Sequence, residues 1–83
     1  MKMEKGTIIE KGNVKYIVLD CLDYEEDHFI FVNELNSDLS SGDSYFILKV
    51  LPDDVEFEYR NHIVDSLLPE FYRNLSMNVE GDF

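Results

Sequence analysis

The acids and the histidine between positions 20 and 28 are the residues of this sequence best suited to chemistry. Six such side chains fall close together: Asp20, Asp23, Glu25, Glu26, Asp27 and His28. Carboxylate oxygens ligate hard cations such as Ca²⁺, and a carboxyl beside a histidine can exchange protons in acid–base catalysis. Directly after them comes Phe29-Ile-Phe-Val32, a run of β-forming side chains. The stretch is therefore either a ligand or catalytic site, or the polar turn of a β-hairpin.

The spacing of these residues argues against a metal site. A calcium loop needs acids at alternate positions and a glycine at the sixth, and this stretch contains no glycine. A transition metal at His28 would need a second histidine, and His62 is the only other one in the chain. The single cysteine, Cys21, excludes a cysteine-based zinc site and an internal disulfide. We expect no metal and no cofactor.

Catalytic motifs are missing as well. The chain has no glycine-rich phosphate loop and no serine-nucleophile motif. Cys21 and His28 are a conceivable nucleophile and base, but Cys21 lies in an apolar run, where a thiol is usually buried and inert. An exposed turn supplies neither the burial nor the close like charge that shifts a carboxyl pKa. We predict a protein that is not an enzyme and has no catalytic residues.

Net charge restricts the partners that the chain can bind. The sequence has 18 acids and 7 bases, a formal net charge of −11. Residues 1–15 hold four bases and two acids (+2), which leaves −13 on residues 16–83. Phosphate charge makes nucleic acids and anionic membranes repel such a surface. We expect no direct binding to nucleic acid or membrane, and a partner that is another protein, one with a basic surface.

The acidity is compatible with two functions. The first is a protein-interaction or accessory domain whose acids keep it soluble. The alternative is a phage-type inhibitor whose acids imitate a phosphate backbone and occupy the basic groove of a nucleic-acid-binding protein. The acidic interaction surface expected in either case comprises Asp23, Glu25, Glu26, Asp27, Glu34, Asp38, Asp43, Asp53, Asp54, Glu56 and Glu58.

Strand patterns fill the first 60 residues. The apolar run Val14–Leu22 is the strongest, and it predicts a strand that is covered on both faces or lies at the sheet centre. In Val55–Arg60, apolar and charged residues alternate, which favours a strand over the competing helix that would begin at Pro52. The other predicted strands are Thr7–Glu10, His28–Leu35 and Ser44–Leu51, and the predicted turns are Lys11–Asn13, Tyr24–Asp27 and Asn36–Asp43.

A helix is predicted in the C-terminal part of the chain. Apolar residues recur there every four positions and form one stripe: Ile63, Leu67, Phe71 and Leu75. Asn61 is the expected N-cap, and Pro69 is expected to kink or split the helix. We assign the aromatic side chains to the core, because the charges around them have the wrong sign for a base-stacking platform.

These elements predict an α+β fold, in which a curled antiparallel meander of four to five strands carries one C-terminal helix packed on it. We expect one domain, 1–83, with loose tails at 1–6 and 77–83. An edge strand of such a sheet could also pair with a second copy and form a homo-oligomer. The sequence shows neither a signal peptide nor an apolar span, so we expect a cytoplasmic protein.

The chain resembles small acidic bacterial and phage proteins that belong to families of unknown function. The matching segments, within residues 7–75, are Tyr16-Ile-Val-Leu-Asp20, Tyr24-Glu-Glu-Asp-His-Phe-Ile-Phe-Val-Asn-Glu34, Tyr45-Phe-Ile-Leu-Lys-Val50 and Leu67-Leu-Pro-Glu-Phe71. The resemblance implies a β-meander with a closing helix. It carries no catalytic motif, so it implies no activity.

Overall fold

The fold is a five-stranded meander followed by one long helix. The computed structural model describes residues 4–80, with side chains described for residues 4–75. All adjacent strands are antiparallel, and the sheet, in the order β1-β2-β3-β4-β5, curls into a half-barrel. The predicted α+β architecture is thereby confirmed. The elements are β1 Ile8–Lys11, β2 Val14–Tyr24, β3 Asp27–Leu35, β4 Ser41–Val50, β5 Val55–Phe57 and α1 Asn61–Glu80.

β3 is the central strand, and it is buried on both faces. The side chains from Phe29 to Val32 are at most 2% exposed. Because side chains alternate along a strand, Phe29 and Phe31 face α1, whereas Ile30 and Val32 face the inside of the curl. The sequence predicted Val14–Leu22 as a strand that is covered on both faces or lies at the sheet centre. β2 is an interior strand with apolar side chains in the clusters on both faces, but its residues alternate between buried and half-buried, and β3 holds the central position.

Aromatic contacts hold the inside of the curl together. Tyr16 on β2 meets the edges of Phe46 on β4 and Phe57 on β5, with ring centroids 5.9 and 6.1 Å apart. Edge-to-face pairs of this kind add about 0.5–1.5 kcal/mol beyond the area that they bury. Lys11 Nζ also lies 3.8 Å from Asp54 Oδ2, which joins the end of β1 to the loop before β5. These contacts draw the outer strands toward each other.

α1 covers the other face of the sheet with the predicted apolar stripe. Ile63, Leu67 and Phe71 are at most 2% exposed and belong to the same cluster as the outward side chains of β3. Phe71 stacks on Phe31 with ring centroids 5.1 Å apart and planes inclined by 18°. Full burial of one such side chain stabilises a fold by about 1.5–3 kcal/mol, so this stripe is the main attachment of the helix.

The N-cap of α1 and its course at Pro69 differ from the prediction. The carbonyl of Arg60 accepts hydrogen bonds from the amides of Ile63 and Val64, so Arg60 is the N-cap in place of Asn61. The helix is continuous through Pro69 and is not split there. The carbonyl that loses its partner belongs to Asp65, an exposed residue, and water can satisfy it.

The predicted tails are shorter than expected where the structure describes them. Residues 77–80 belong to α1, and residues 1–3 and 81–83 lie outside the described part of the chain. At the N-terminal side, the amide of Gly6 donates to the carbonyl of Val18 at 2.8 Å, which ties this segment to β2. The strand predicted at Val55–Arg60 is confirmed for Val55–Phe57, where β5 pairs with β4.

Two tight turns connect the first three strands. Gly12 and Asn13 have φ angles of 61° and 67°, and Glu25 and Glu26 have φ angles of 50° and 71°. Two consecutive residues at positive φ form the turn that best matches the twist of a hairpin. Gly and Asn adopt this conformation readily, whereas glutamate rarely does. The acids of the opening stretch therefore form a hairpin turn, one that their side chains do not favour locally.

A bulge separates the start of β4 from β3. The register shifts between Asn33 and Leu35, and the buried Asn33 amide fills the gap by donating to the carbonyls of Gly42 and Ser44, at 3.1 Å each. At Gly42 the strands approach so closely that a Cβ atom would lie 2.6 Å from the carbonyl oxygen of Glu34. Gly42 was predicted to lie in a loop, but the structure places it within β4.

Because the strands approach so closely at the bulge, adding one methyl group at Gly42 should destabilise the fold strongly. We expect Gly42→Ala to lower the free energy of unfolding by about 1–3 kcal/mol, because the contact is with backbone that cannot move alone. Chemical denaturation measures this change. Ser41→Ala, at the exposed neighbouring position, is the matched control and should change stability by less than about 0.5 kcal/mol. Equal effects of the two substitutions would contradict the close approach.

Candidate functional site

The predicted acidic surface is divided between different parts of the sheet. Because His28 pairs with Val50, the β2–β3 turn and the β4–β5 loop lie at the same end of the sheet. Glu34, Asp38 and Asp43 lie toward the other end, where β3 leads into β4, and Glu56 and Glu58 lie on β5 or just after it. The acids that the structure brings to one end are Asp23, Glu25, Glu26, Asp27, Asp53 and Asp54.

Some of these acids are paired with a base. Asp27 Oδ2 lies 3.6 Å from Lys49 Nζ, and Asp54 is paired with Lys11 as described above. Asp23 Oδ1 lies 2.5 Å from His28 Nδ1 across the β2–β3 ladder. With the Glu58–Arg60 pair, four of the eleven acids have a basic partner within residues 4–75. The negative charge of the surface is thus partly compensated.

The histidine and cysteine of the opening stretch do not combine into a reactive pair. The strand register places Ile30 opposite Cys21, and Asp23 opposite His28. Cys21 packs against the apolar cluster inside the curl. His28 Nε2 is buried and has no hydrogen-bond partner within the described residues. No group of three His, Cys, Asp or Glu residues in that part of the chain is arranged to hold a metal ion.

Asp20 has a structural role that the sequence did not reveal. A bulge between Val18 and Asp20 places both Leu19 and Asp20 on the face that α1 covers. The Asp20 carboxylate is buried, accepts a hydrogen bond from Asn74 Nδ2 at 2.8 Å, and lies 3.5 Å from Lys5 Nζ. It therefore connects α1 and the N-terminal segment to β2.

Three exposed tyrosines mark a largely apolar groove in the described surface. Tyr45, Tyr59 and Tyr72 are 54%, 80% and 57% exposed, although the sequence predicted them as core. They line a groove of about 290 Å³ between β4, α1 and the segment after β5. Phe31 forms its floor, stacked on Tyr45 with centroids 5.7 Å apart and edge-on to Tyr72 at 6.1 Å. We call this feature the tyrosine groove.

The tyrosine groove borders an uncovered strand edge. β5 pairs only with Leu48–Val50, and the amide of Glu58 donates to the carbonyl of Ile47 at 2.9 Å. In the first part of β4, Ser41, Tyr45 and Phe46 pair with β3, and residues 42–44 form the bulge. On the other side of residues 41–46, no described residue pairs with them as a strand. Alternate residues of an antiparallel strand direct both backbone groups to the same neighbour. Ile47 directs them toward β5, so Tyr45 directs its own to the uncovered edge.

Glu58 is the acid at the groove whose environment changes its acidity most clearly. Its side chain is only 7% exposed, and its Oε1 atom accepts hydrogen bonds from Arg60 Nε at 2.9 Å and Nη2 at 2.6 Å. These bonds hold the pKa of the Glu58 carboxyl below its ordinary value. Nearby, burial raises the pKa of the Tyr16 phenol, with smaller contributions from the charges of Glu34 and Tyr59.

Comparison of the chain with protein-family models, curated proteins and solved structures found no match. The resemblance to small acidic bacterial and phage proteins therefore stays a prediction. Within residues 4–80, no helix has the combination of length and apolar character that crossing a membrane requires.

The Glu58–Arg60 pair predicts a defined dependence of stability on pH. A carboxyl whose pKa is lower in the folded state stabilises the fold above its unfolded pKa, and this contribution disappears as pH falls through the folded value. We therefore expect Arg60→Gln to reduce the free energy of unfolding near pH 7, and the deficit to shrink as the pH falls below the ordinary pKa of a glutamate. Urea titrations of both proteins between pH 7 and pH 3 measure the difference.

Arg73→Gln is the matched control, because Arg73 pairs with Glu70 on the exposed side of α1. Its deficit should be small, since exposed pairs contribute little. A deficit for Arg60→Gln that stays constant from pH 7 to pH 3 would contradict the assigned role of Glu58.

Proposed function

We propose that this chain is a non-enzymatic protein-interaction domain that binds a partner protein through the tyrosine groove. The observation that supports this proposal is the convergence of Tyr45, Tyr59 and Tyr72 on one groove beside an uncovered strand edge. Tyrosine is enriched at protein interfaces and among the residues that dominate their binding energy. A groove of about 290 Å³ is at the lower limit for small-molecule sites and suits one or two side chains of a partner.

The partner is expected to carry a basic surface. The net charge of −11 attracts cationic proteins and accelerates their association at low salt. Cytoplasmic location is part of the proposal, because a chain with the single cysteine Cys21 gains no internal disulfide from an oxidising compartment.

The alternative, imitation of a phosphate backbone, receives less support. Such a surface requires a row of unpaired acids, whereas four of the eleven candidates are paired and the set is divided between parts of the sheet. Imitation of a phosphate backbone also does not explain why three tyrosines are exposed at one groove. The turn acids Glu25 and Glu26, which have no ion-pair partner within the described residues, are the best test of this alternative.

Affinity capture with matched variants tests the proposal. The immobilised chain, its Tyr45→Ser/Tyr72→Ser variant and its Glu25→Gln/Glu26→Gln variant are exposed at low salt to an extract of the source cells. Captured proteins are identified by mass spectrometry, purified and titrated against each variant by calorimetry. We expect the tyrosine variant to bind at least about tenfold more weakly, because hot-spot side chains contribute about 2 kcal/mol or more. The glutamine variant should lose less than about threefold, as rim charges do.

The opposite pattern would contradict the proposal. A partner that binds the tyrosine variant normally, but is lost from the glutamine variant and from the wild type in high salt, would identify the phosphate-mimic function. Circular dichroism of both variants serves as the control for folding, since each changes only exposed side chains.

A further inference from the structure

We infer that the partner contributes an extended, basic segment that adds to the uncovered edge of β4 as a sixth strand. This inference rests on the proposed function, namely that the tyrosine groove is the binding site. It specifies the conformation and the charge of what the groove receives.

The backbone of β4 is prepared for such an addition. Tyr45 points its N–H and C=O away from β3, and β5 ends its pairing at Leu48, with one further bond at Ile47. A segment that continues along β4 from the end of β5 would occupy residues 41–46, a length of about 20 Å at 3.4 Å per residue. Partner segments that add to sheet edges obtain affinity from these main-chain bonds and specificity from alternate side chains.

The shape of the groove supports strand addition over docking on one face. Its lining includes Phe46, which faces the inside of the curl, and Ile47 and Tyr72, which belong to the opposite, helix-covered side. The groove therefore wraps around the edge of β4. An added strand presents successive side chains to opposite faces, so it could fill both parts of this groove at once.

Charge selects a basic segment and disfavours a second copy of the chain. Asp43 and Asp65 are exposed, and in the sequence they lie within two residues of Tyr45 and Val64, which line the groove. Arg60 is already bound to Glu58, another lining residue. Lysine or arginine side chains of the added strand would therefore find acids without a basic partner in the described part of the chain. Two copies would each bring a net charge of −11 to a shared edge, which opposes their pairing.

A random dodecapeptide library displayed on its encoding mRNA provides the probe. Selection against the immobilised full chain should enrich peptides that combine apolar residues with lysine or arginine. The best peptide is then synthesised in two modified forms, one with backbone N-methyl groups at its even positions and one with them at its odd positions. We expect one of these peptides to bind at least tenfold more weakly and the other to bind within threefold of the parent, because only one set of amides faces β4.

The outcomes separate this inference from the function on which it rests. Peptides that require Tyr45 and Tyr72 but bind equally well in both N-methylated forms would refute strand addition and leave the proposed function standing. Selection of no peptide that depends on these tyrosines would contradict both. Enrichment of acidic peptides would overturn the charge assignment. A stable dimer in analytical ultracentrifugation that the selected peptide dissociates would identify a second copy as the natural occupant and refute the inference.

Discussion

Burial of β3 on both faces is the constraint from which the rest of this structure follows. Four successive side chains, Phe29 to Val32, are at most 2% exposed, so the strand needs an apolar cover above and below the sheet. The strands of the described residues 4–80 form one sheet, so no second sheet supplies a cover. The sheet therefore covers one face by curling over it, and α1 covers the other. Because a domain of this size is stable by only a few kcal/mol, neither cover is dispensable.

The uncovered edge is a consequence of the same curl. To bring Phe57 against Tyr16, β5 turns inward after pairing with only the last three residues of β4. No described residue then pairs as a strand with the outer side of the first part of β4, and Tyr45 lies at this edge. Two side-chain hydrogen bonds between α1 and β2, Tyr24 with Ser66 and Asn74 with Asp20, fix the position of the helix over the sheet. Tyr72 is thereby placed beside the same edge, next to Phe31. Core formation and the candidate site thus depend on one geometry.

Sequence patterns predicted the order of the elements because that order is encoded locally. Alternation and β-branched runs indicated all five strands, and a four-residue period indicated the stripe of α1 from Ile63 onward. Bulges have no comparable local signal. The shift at Asp20, which buries a carboxylate against Asn74, 54 positions away, could not be derived from residue types. The same is true of Glu25 and Glu26, since glutamate is rarely found at positive φ.

The site was harder to predict than the fold, because the sequence indicated an acidic interaction surface and gave no signal for the tyrosine groove. Exposure of Tyr45 depends on the length of β5, and the pattern of Val55–Arg60 indicated six strand residues where three are observed. Because β4 has ten residues and β5 only three, part of β4 lacks a partner on that side, but the length of β5 could not be read from the pattern. Tyr59 and Tyr72 were predicted as core because the surrounding charges have the wrong sign for a base-stacking platform, yet both are more than half exposed.

The central claim is that the edge of β4 at Tyr45 is free in the unbound chain, and amide hydrogen exchange measured by NMR tests it most directly. The amides of Phe46 and Leu48 belong to a region paired with β3, and Leu48 is fully buried, whereas that of Tyr45 points to the uncovered edge. We expect the Tyr45 amide to exchange within the dead time of the experiment while the Leu48 amide is protected for far longer. Protection of Tyr45 equal to that of Leu48 in the monomeric, unbound chain would contradict the account.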